Sequence, residues 1–260
     1  MAAIVEWCHQ RQLQVLLSVV PVLLLLPHQV LGCSFGLSPV LYLDYSCQSS
    51  TPAIWKDEST GNRIQCGQSG DTSLTSDGYS FPGRTDAYFD CGDNVVDGLS
   101  EFTVAAWARP TSLFSNTNPT GHNANENVII HKAGQGDDNL GLTLNNGKMT
   151  CYIDTNSNDD VTGSTSIPLN EFGHFACVYT GSELQIFHNG AMLDRSYASG
   201  DVIDNTNSLR VGAGHTFNYA FSGDIASITI FDQALTVQEV DDLMDLTDPA
   251  GSNRCLWACG

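Results

Sequence analysis

Positively charged side chains are scarce in this sequence. Its 260 residues contain 10 Lys and Arg against 29 Asp and Glu, which gives a formal net charge of −19 and a pI near 4.3. Such a surface repels the phosphates of nucleic acids and acidic membrane surfaces, so the composition argues against both as ligands. Cations and neutral glycans remain compatible with it.

Long apolar runs are missing beyond the first 32 residues. Val15–Leu26 is apolar, but it is short for a membrane span and is interrupted by a serine and a proline; Val30–Gly32 then ends in a small residue. These features are typical of a signal peptide, which we expect to cover residues 1–32. We therefore predict a secreted, extracellular chain with no membrane insertion after signal removal. Because the segment is only weakly basic, a retained anchor is the alternative.

Close cysteine pairs of the CxxC type are also absent, and with them the usual signature of a zinc–thiolate site. Without Cys8, which falls in the predicted signal peptide, an even number of cysteines remains, and they can form four disulfides in an oxidising compartment. A lipid anchor on Cys33 would leave an odd number. The eight are Cys33, Cys47, Cys66, Cys91, Cys151, Cys177, Cys255 and Cys259.

Short strand-forming runs between tight turns dominate the rest of the chain. Phe175–Thr180 and Glu183–His188 are separated by Gly181-Ser182, and Asn189-Gly190 then predicts a type I′ hairpin before Ala191. Alternate residues of these strands point to opposite faces, and both faces carry apolar side chains. This pattern predicts a second sheet packed against the first.

Further strands are predicted from similar apolar runs, with a second hairpin at Asn146-Gly147. We expect residues 47–78, which are rich in Ser, Gly, Thr and Asp, to form a loop held by Cys47 and Cys66. The predicted strands are Val40–Tyr45, Tyr79–Phe81, Tyr88–Phe89, Phe102–Arg109, Val128–His131, Gly141–Leu144, Lys148–Asp154, Ser208–Val211 and Ser222–Phe231.

One helix is predicted near the end of the sequence. Thr236 and Glu239 have the spacing of a capping box. The apolar residues that follow at helical spacing are Val237, Val240, Leu243 and Met244. We expect this helix to pack across the sandwich.

The order of these segments resembles the laminin-G-like, concanavalin A-like jelly-roll family over residues 40–246. The motifs that carry the resemblance are Asp57-Glu58-Ser59-Thr60-Gly61-Asn62, Phe81-Pro82-Gly83 with Tyr88-Phe89, Glu101 to Pro110, His174 to Tyr179, Ile186 to Gly190, Phe221 to Phe231, and Ala234-Leu235-Thr236 with Glu239. The resemblance implies an all-β fold, a two-sheet antiparallel jelly-roll sandwich with one short C-terminal helix.

The same resemblance divides the mature chain into three parts. We expect residues 33–78 to form an N-terminal strand and a Cys-containing loop region packed on the sandwich. Residues 79–246 would form the laminin-G-like jelly-roll core, and residues 247–260 a Cys-containing C-terminal tail.

Paired catalytic carboxylates are missing. Glycosidases need two carboxyl groups roughly 5–10 Å apart, and jelly-roll glucanases carry them on one strand as Glu-x-Asp-x-Glu or a close variant. Neither that run nor a G-x-S-x-G nucleophile motif occurs here. We therefore predict that the chain is not an enzyme.

Two acidic segments are candidates for calcium binding. Asp137, Asp138 and Asn139 are flanked by glycines, and Asp159 and Asp160 follow the strand that contains Cys151. Oxygen ligands on neighbouring loops suit Ca²⁺, although Asp and Asn are also ordinary turn residues.

A second calcium position is suggested by the family alone. Many relatives carry an Asp after the Ile of the segment Gly223 to Ile225, and in related enzymes it helps to hold a structural calcium. Here that position is Ala226, and Asp224 is the nearby substitute.

The polar segment 111–127 is a candidate ligand-binding loop. Its amide and imidazole groups, which suit sugar hydroxyls, are those of Asn116, Asn118, His122, Asn123 and Asn125. A plain surface insertion is the alternative. Trp107 and Tyr179 could stack on a sugar ring, but strand-centre aromatic residues usually belong to the core.

Cys151 and Cys177 each lie at the centre of a predicted strand, where neighbouring strands or sheets can meet disulfide geometry. We predict that they bond to each other.

The combined interpretation is a secreted, non-catalytic carbohydrate-binding or adhesion module, with or without Ca²⁺. An extracellular protein-interaction or matrix module is the alternative, and a glycoside hydrolase is less favoured. The partner would be a glycan or an extracellular protein.

Overall fold

Sixteen strands and one α-helix are present in the residues that the computed structural model describes: 37–48, 53–59, 64–93, 95–113, 126–134, 137–155, 158–215 and 219–251. The predicted signal peptide and most of the C-terminal tail lie outside these residues. The strands are β1 (Leu41–Asp44), β2 (Ile54–Lys56), β3 (Gln65–Ser69), β4 (Ser73–Leu74), β5 (Tyr79–Pro82), β6 (Tyr88–Asp90), β7 (Phe102–Pro110), β8 (Glu126–Gly134), β9 (Asp137–Asn145), β10 (Lys148–Asp154), β11 (Asn158–Ser166), β12 (Gly173–Tyr179), β13 (Glu183–His188), β14 (Ala191–Tyr197), β15 (Arg210–Val211) and β16 (Ser222–Phe231). The helix, α1, spans Val237–Thr247.

The strands form two antiparallel sheets, which confirms the predicted all-β sandwich. Sheet A has the order β14-β13-β12-β7-β16-β5-β4, and β1 also pairs with β16. Sheet B has the order β11-β10-β9-β8-β15-β6-β3-β2. Within the described residues, no helix is both long and apolar enough to cross a membrane.

The core lies between the two sheets. Phe175, Cys177 and Tyr179 of β12 belong to it, as do Leu142 of β9 and Met149 of β10. Side chains alternate along each strand, so one face of every long strand contributes to this layer.

Aromatic rings fill one end of the core. The Trp55 ring centroid lies 4.6 Å from that of Tyr79 and 5.5 Å from that of Phe89. Offset and edge-on contacts at these distances favour aromatic packing.

Two disulfides cross-link the strands. Cys151 on β10 bonds to Cys177 on β12, so the predicted pair joins sheet B to sheet A through the core. Cys66 on β3 bonds to Cys91, which directly follows β6 in the same sheet. Cys47 is disulfide-bonded as well.

Three regions predicted as loops contain strands, and one of them is residues 137–139, which begin β9. Residues 47–78 contain β2, β3 and β4 instead of a loop alone. Asn158–Ser166 is a strand at the edge of sheet B, although the sequence predicts a loop at its start. These regions are mostly polar, so they lack the alternating apolar pattern from which strands are predicted.

Candidate binding face

The outer face of sheet A is closed by α1. Trp107 of β7 donates a hydrogen bond from Nε1 to Thr247 Oγ1 at 3.0 Å, and Leu235 N donates to Thr103 Oγ1 at 2.9 Å. Ala176 and Val178 point away from the main core and are nevertheless fully buried. This face is therefore a second, smaller apolar layer and offers little room for a ligand.

The outer face of sheet B carries a different set of side chains. Strand pairing places one residue from each of six neighbouring strands in a transverse row. Their neighbours along the strands, such as Phe89, Val211 and Cys151, lie in the core, so the row points outward. The row runs Asp90, Arg210, His131, Gly141, Tyr152 and Asp160.

Four side chains at the middle of this face form what we call the histidine cluster: His131, Tyr152, Arg210 and His215. The ring centroid of His131 lies 6.0 Å from that of Tyr152, in an edge-on arrangement, and 6.0 Å from that of His215. The Arg210 guanidinium carbon lies 4.2 Å from the centre of the Tyr88 ring. The cluster therefore combines aromatic faces with hydrogen-bonding groups.

Gly141 leaves the space that the Tyr152 ring occupies. A Cβ atom at residue 141 would lie 2.0 Å from that ring. The glycine therefore lets the ring lie flat across β9, next to His131.

Burial keeps both histidines of the cluster neutral. It lowers the pKa of His131 to about 3, and His215 and Arg210 add to the effect. Burial also lowers the pKa of His215. The Nε2 atom of His215 donates to the Ser208 carbonyl oxygen at 2.6 Å, which leaves Nδ1 as an acceptor.

Two buried polar atoms of the cluster have no hydrogen-bond partner in the part of the chain that the structure describes. They are His131 Nδ1 and Arg210 Nε. A buried donor or acceptor without a partner costs about 1–3 kcal/mol, so an internal water molecule is the expected partner of such atoms.

A row of hydroxyl groups lies beside the cluster on the same face. Thr143 pairs with Thr150, and Thr150 pairs with Thr162, whose hydroxyl lies 3.0 Å from that of Thr150. Residues two apart along a strand are about 7 Å apart, so this row runs next to Gly141 and Tyr152. The face thus groups hydroxyl, imidazole, phenol and guanidinium side chains; Thr143, Thr150 and His131 are buried, whereas Tyr152, Arg210 and His215 are partly exposed.

The two carboxylates of the row are far from each other. Asp90 on β6 and Asp160 on β11 lie at opposite ends, about 24 Å apart by the ordinary spacing of paired strands. A glycosidase pair needs a separation of roughly 5–10 Å. These two carboxylates therefore cannot act across one glycosidic bond.

The predicted calcium residues lie at one end of sheet B, but in strands and not in loops. Asp137, Asp138 and Asn139 begin β9, and Asp159 and Asp160 lie in β11. Strand pairing brings both groups near the end of β10.

Their side-chain environments differ. The side chains of Asp137 and Asp138 lie outside the described part. Asn139 is fully buried and bonds to Ile203 and Asn205, and Asp159 accepts a bond from Thr155 Oγ1 at 3.1 Å. Among the described residues, no group of three or more His, Cys, Asp and Glu is arranged to hold a metal ion.

The other candidate positions also have defined surroundings. Asp224 accepts hydrogen bonds from Arg109 Nε at 3.0 Å and Nη2 at 2.9 Å. Trp107 lies beneath α1 and Tyr179 lies in the core, so neither offers a stacking surface. The predicted ligand residues Asn116, Asn118, His122, Asn123 and Asn125 lie outside the described residues.

The histidine cluster was not predicted from the sequence. The alternation of Cys151, Tyr152 and Ile153 does predict that Tyr152 points away from the core. His131 and Arg210 meet only because β15 lies between β6 and β8, and the sequence shows no signal for that order.

Solved structures of similar fold include several binding domains. The binding domain of Paraclostridial Mosquitocidal Protein 1 is 15% identical with a TM-score of 0.65, over 80% of this chain and 52% of that one. The binding domain of botulinum neurotoxin DC, solved in complex with rat synaptotagmin II, is 14% identical with a TM-score of 0.59, over 81% of this chain and 52% of that one. This chain thus spans about half the length of both toxin domains.

A third structure is similar over most of its own length. Domain 4 of AbnA, a GH43 extracellular arabinanase from Geobacillus stearothermophilus solved in complex with arabinotriose, is 17% identical with a TM-score of 0.50. The match covers 78% of this chain and 86% of that domain. At these identities the three likenesses establish a shared fold.

Sequence comparison gives the family. No match was found among curated protein sequences. The family model described as the concanavalin A-like lectin/glucanases superfamily matches residues 82–241, which is more than half of the chain. The chain therefore belongs to the concanavalin A-like lectin/glucanases superfamily.

Proposed function

We propose that the chain is a secreted, non-catalytic carbohydrate-binding or adhesion domain that takes its ligand on the outer face of sheet B. The observation that carries the proposal is the histidine cluster, in which the partly exposed Tyr152, Arg210 and His215 lie around the buried His131. The outer face of sheet A is covered by α1, which leaves the face of sheet B as the better binding surface.

The chemistry of this face suits a neutral sugar. Aromatic rings such as that of Tyr152 can pack against the apolar face of a pyranose or furanose, while neutral imidazole and hydroxyl groups exchange hydrogen bonds with its hydroxyls. The net charge of −19 disfavours acidic ligands. AbnA domain 4, of the same fold, was solved with arabinotriose, which adds support for a glycan.

Secretion is supported by the disulfides. The Cys66–Cys91 and Cys151–Cys177 bonds are typical of extracellular proteins, because cytosolic thiols are kept reduced. The wide separation of Asp90 and Asp160 excludes these two carboxylates as a catalytic pair. Measurement of binding with and without a chelator tests whether Ca²⁺ assists it.

The test begins with a glycan array probed by the secreted chain, with and without chelator. The variant Tyr152→Ala removes the exposed edge of the aromatic surface, and we expect it to weaken binding of the selected glycan about tenfold or more, as loss of a central aromatic contact does. Tyr197→Ala is the matched control, because Tyr197 is 74% exposed on the edge strand β14 of sheet A. Titration calorimetry measures both affinities.

Two results would contradict the proposal. One is the failure of the wild-type chain to bind any glycan in either arm. The other is equal loss of affinity in Tyr152→Ala and Tyr197→Ala, since this would place the ligand elsewhere or reflect damage to the fold.

A protein partner is the second candidate, and β14 is the observation that favours it. This edge strand exposes Met192 and Tyr197 beside the charged Arg195. Exposed edge strands with apolar side chains readily pair with or dock another chain. If co-purification from the secreted fraction yields a protein that Tyr197→Ala loses and Tyr152→Ala retains, this alternative is correct.

A further inference from the structure

Lys132, at the end of β8, is fully buried. Its Cα pairs with that of Leu140, a core residue, so its side chain points between the sheets. Lysine is rarely buried in proteins unless its charge is satisfied. With 10 Lys and Arg in the whole chain, this charge is also a scarce one.

Four oxygen atoms surround the ammonium group. Nζ lies 2.7 Å from the carbonyl oxygen of Asn207 and 3.4 Å from that of Asn205, and it donates to the carbonyl oxygen of Asp93. The Asp97 carboxylate completes the set at 3.0 Å. We call these four oxygens the lysine cage.

The lysine cage has the composition of a calcium site. Ca²⁺ takes about six to eight oxygens, from carboxylates, backbone carbonyls of loop segments and water, at about 2.3–2.6 Å, so water molecules would complete a site with four protein oxygens. The cage draws on two such segments, one before β7 and one before β15. The Asn207 and Asp97 oxygens would move inward by a few tenths of an ångström to reach calcium distances, and the Asn205 oxygen by about 0.8 Å.

A second carboxylate lies near the cage. Burial raises the pKa of Asp97, and the nearby Asp204 raises it further, while Lys132 acts in the opposite direction. Asp97 contacts the ammonium group directly, and the exposed Asp204 adds negative charge nearby, which favours a cation of higher charge at this position.

The cage shares a segment with the predicted calcium residues. Asn139 donates to the Ile203 carbonyl oxygen and accepts from Asn205 Nδ2. Residues 203–207 therefore connect the rim, the end of sheet B where residues 137–139 and 159–160 lie, with the oxygens that hold Lys132.

We infer that the ammonium group of Lys132 takes the place of a divalent cation in this rim. In the wild type, the ammonium group of Lys132 holds the two segments of the lysine cage together. Removal of the ammonium group without filling its space opens a Ca²⁺ site made of the same oxygens.

The experiment compares two variants of the full chain. Lys132→Ser removes the charge and leaves space, whereas Lys132→Met removes the charge and fills the space with an apolar chain. We expect both to lower the Tm in chelator by about 10 °C, because a buried ion pair loses one partner. Saturating Ca²⁺ should raise the Tm of Lys132→Ser by roughly 5–10 °C and leave Lys132→Met and the wild type unchanged.

A third variant ties the response to the cage. Adding Asp97→Asn to Lys132→Ser should abolish the calcium-induced rise in Tm. The inference is overturned if Ca²⁺ fails to stabilise Lys132→Ser or to restore its fold, or if it stabilises Lys132→Met equally. It is also overturned if Ca²⁺ stabilises the wild type and Asp97→Asn removes that effect. Glycan binding plays no part in these readouts, so they are independent of the proposed function.

Discussion

His131 and His174 occupy equivalent situations on the two outer faces of the sandwich. His131 lies in the histidine cluster of sheet B, and His174 lies against the Trp107 ring, 5.5 Å between ring centroids, on the side that α1 covers. Burial is the main cause that lowers the pKa of each to about 3, with His215 and Arg210 adding to it at His131 and His188 at His174. Both are therefore neutral in the folded protein at pH 7.

Stability should fall as the pH falls from 6.5 toward 3. In this window the unfolded chain, with an ordinary histidine pKa near 6.5, binds protons that the folded chain does not, which favours unfolding. Each histidine should cost about 2 kcal/mol of unfolding free energy at pH 5. Urea unfolding between pH 5 and 7 measures the slope.

The pH dependence of the unfolding free energy also shows which histidine takes up a proton on unfolding. In His174→Leu the pH dependence of the unfolding free energy should decrease by about 1.4 kcal/mol per pH unit below pH 6, where one fewer proton is taken up on unfolding. Carboxylates titrate alike in both proteins and cancel in the difference. An unchanged slope would show that His174 is protonated in the folded state.

At the scale of strands and turns, the hairpins follow directly from sequence. Asn146-Gly147 and Asn189-Gly190 have φ angles of 50° and 77°, and 50° and 75°, as the predicted type I′ turns require. Strands with alternating apolar residues, such as β10 and β13, have the predicted bounds. Local chemistry decides these features, so the sequence alone predicts them.

The edge strand β11 and the strand β3, one position in from the other edge of sheet B, are harder to predict because their side chains are mostly polar. In β11, Val161 is the one large apolar residue, and in β3 Cys66 is the residue buried against the core. Tertiary pairing, and not a local hydrophobic pattern, makes these segments strands. The binding face is not predictable from the sequence for the same reason. Arg210 belongs to a strand of two residues, and the pairing of the whole sheet decides which strands lie beside it.

The helix α1 depends on its predicted capping box. Thr236 Oγ1 accepts from Glu239 N at 3.3 Å, and the Glu239 carboxylate accepts from Thr236 N at 2.8 Å. Thr236→Ala should cost about 1 kcal/mol and lower the Tm by about 3 °C. Gln238→Ala, at an exposed position of the same turn, is the control and should shift the Tm by less than about 1 °C. Equal shifts in calorimetry would mean that the cap contributes nothing.

At the scale of the whole molecule, the disulfides Cys151–Cys177 and Cys66–Cys91 constrain the sandwich in different ways. Cys151–Cys177 joins the sheets through the core, and its cysteines are 26 residues apart in sequence. Cys66–Cys91 joins neighbouring strands of sheet B across 25 residues. The loops are nearly equal, so the entropy that each bond removes from the unfolded chain is nearly equal as well.

A comparison of the two bonds therefore distinguishes an effect on the entropy of the unfolded chain from an effect on the packing of the two sheets. If the bonds act on the unfolded chain, the double variants Cys151→Ala with Cys177→Ala and Cys66→Ala with Cys91→Ala should each lose about 3.5 kcal/mol and about 10 °C in Tm. We expect this equality, because the core around Cys151 and Cys177 holds the sheets together through apolar contact without the bond. Calorimetry of both variants, with the wild type as reference, measures it. A loss at least twice as large for the bond between the sheets would show that the layers need the covalent link to stay packed, and would place that bond among the interactions that stabilise the folded state directly.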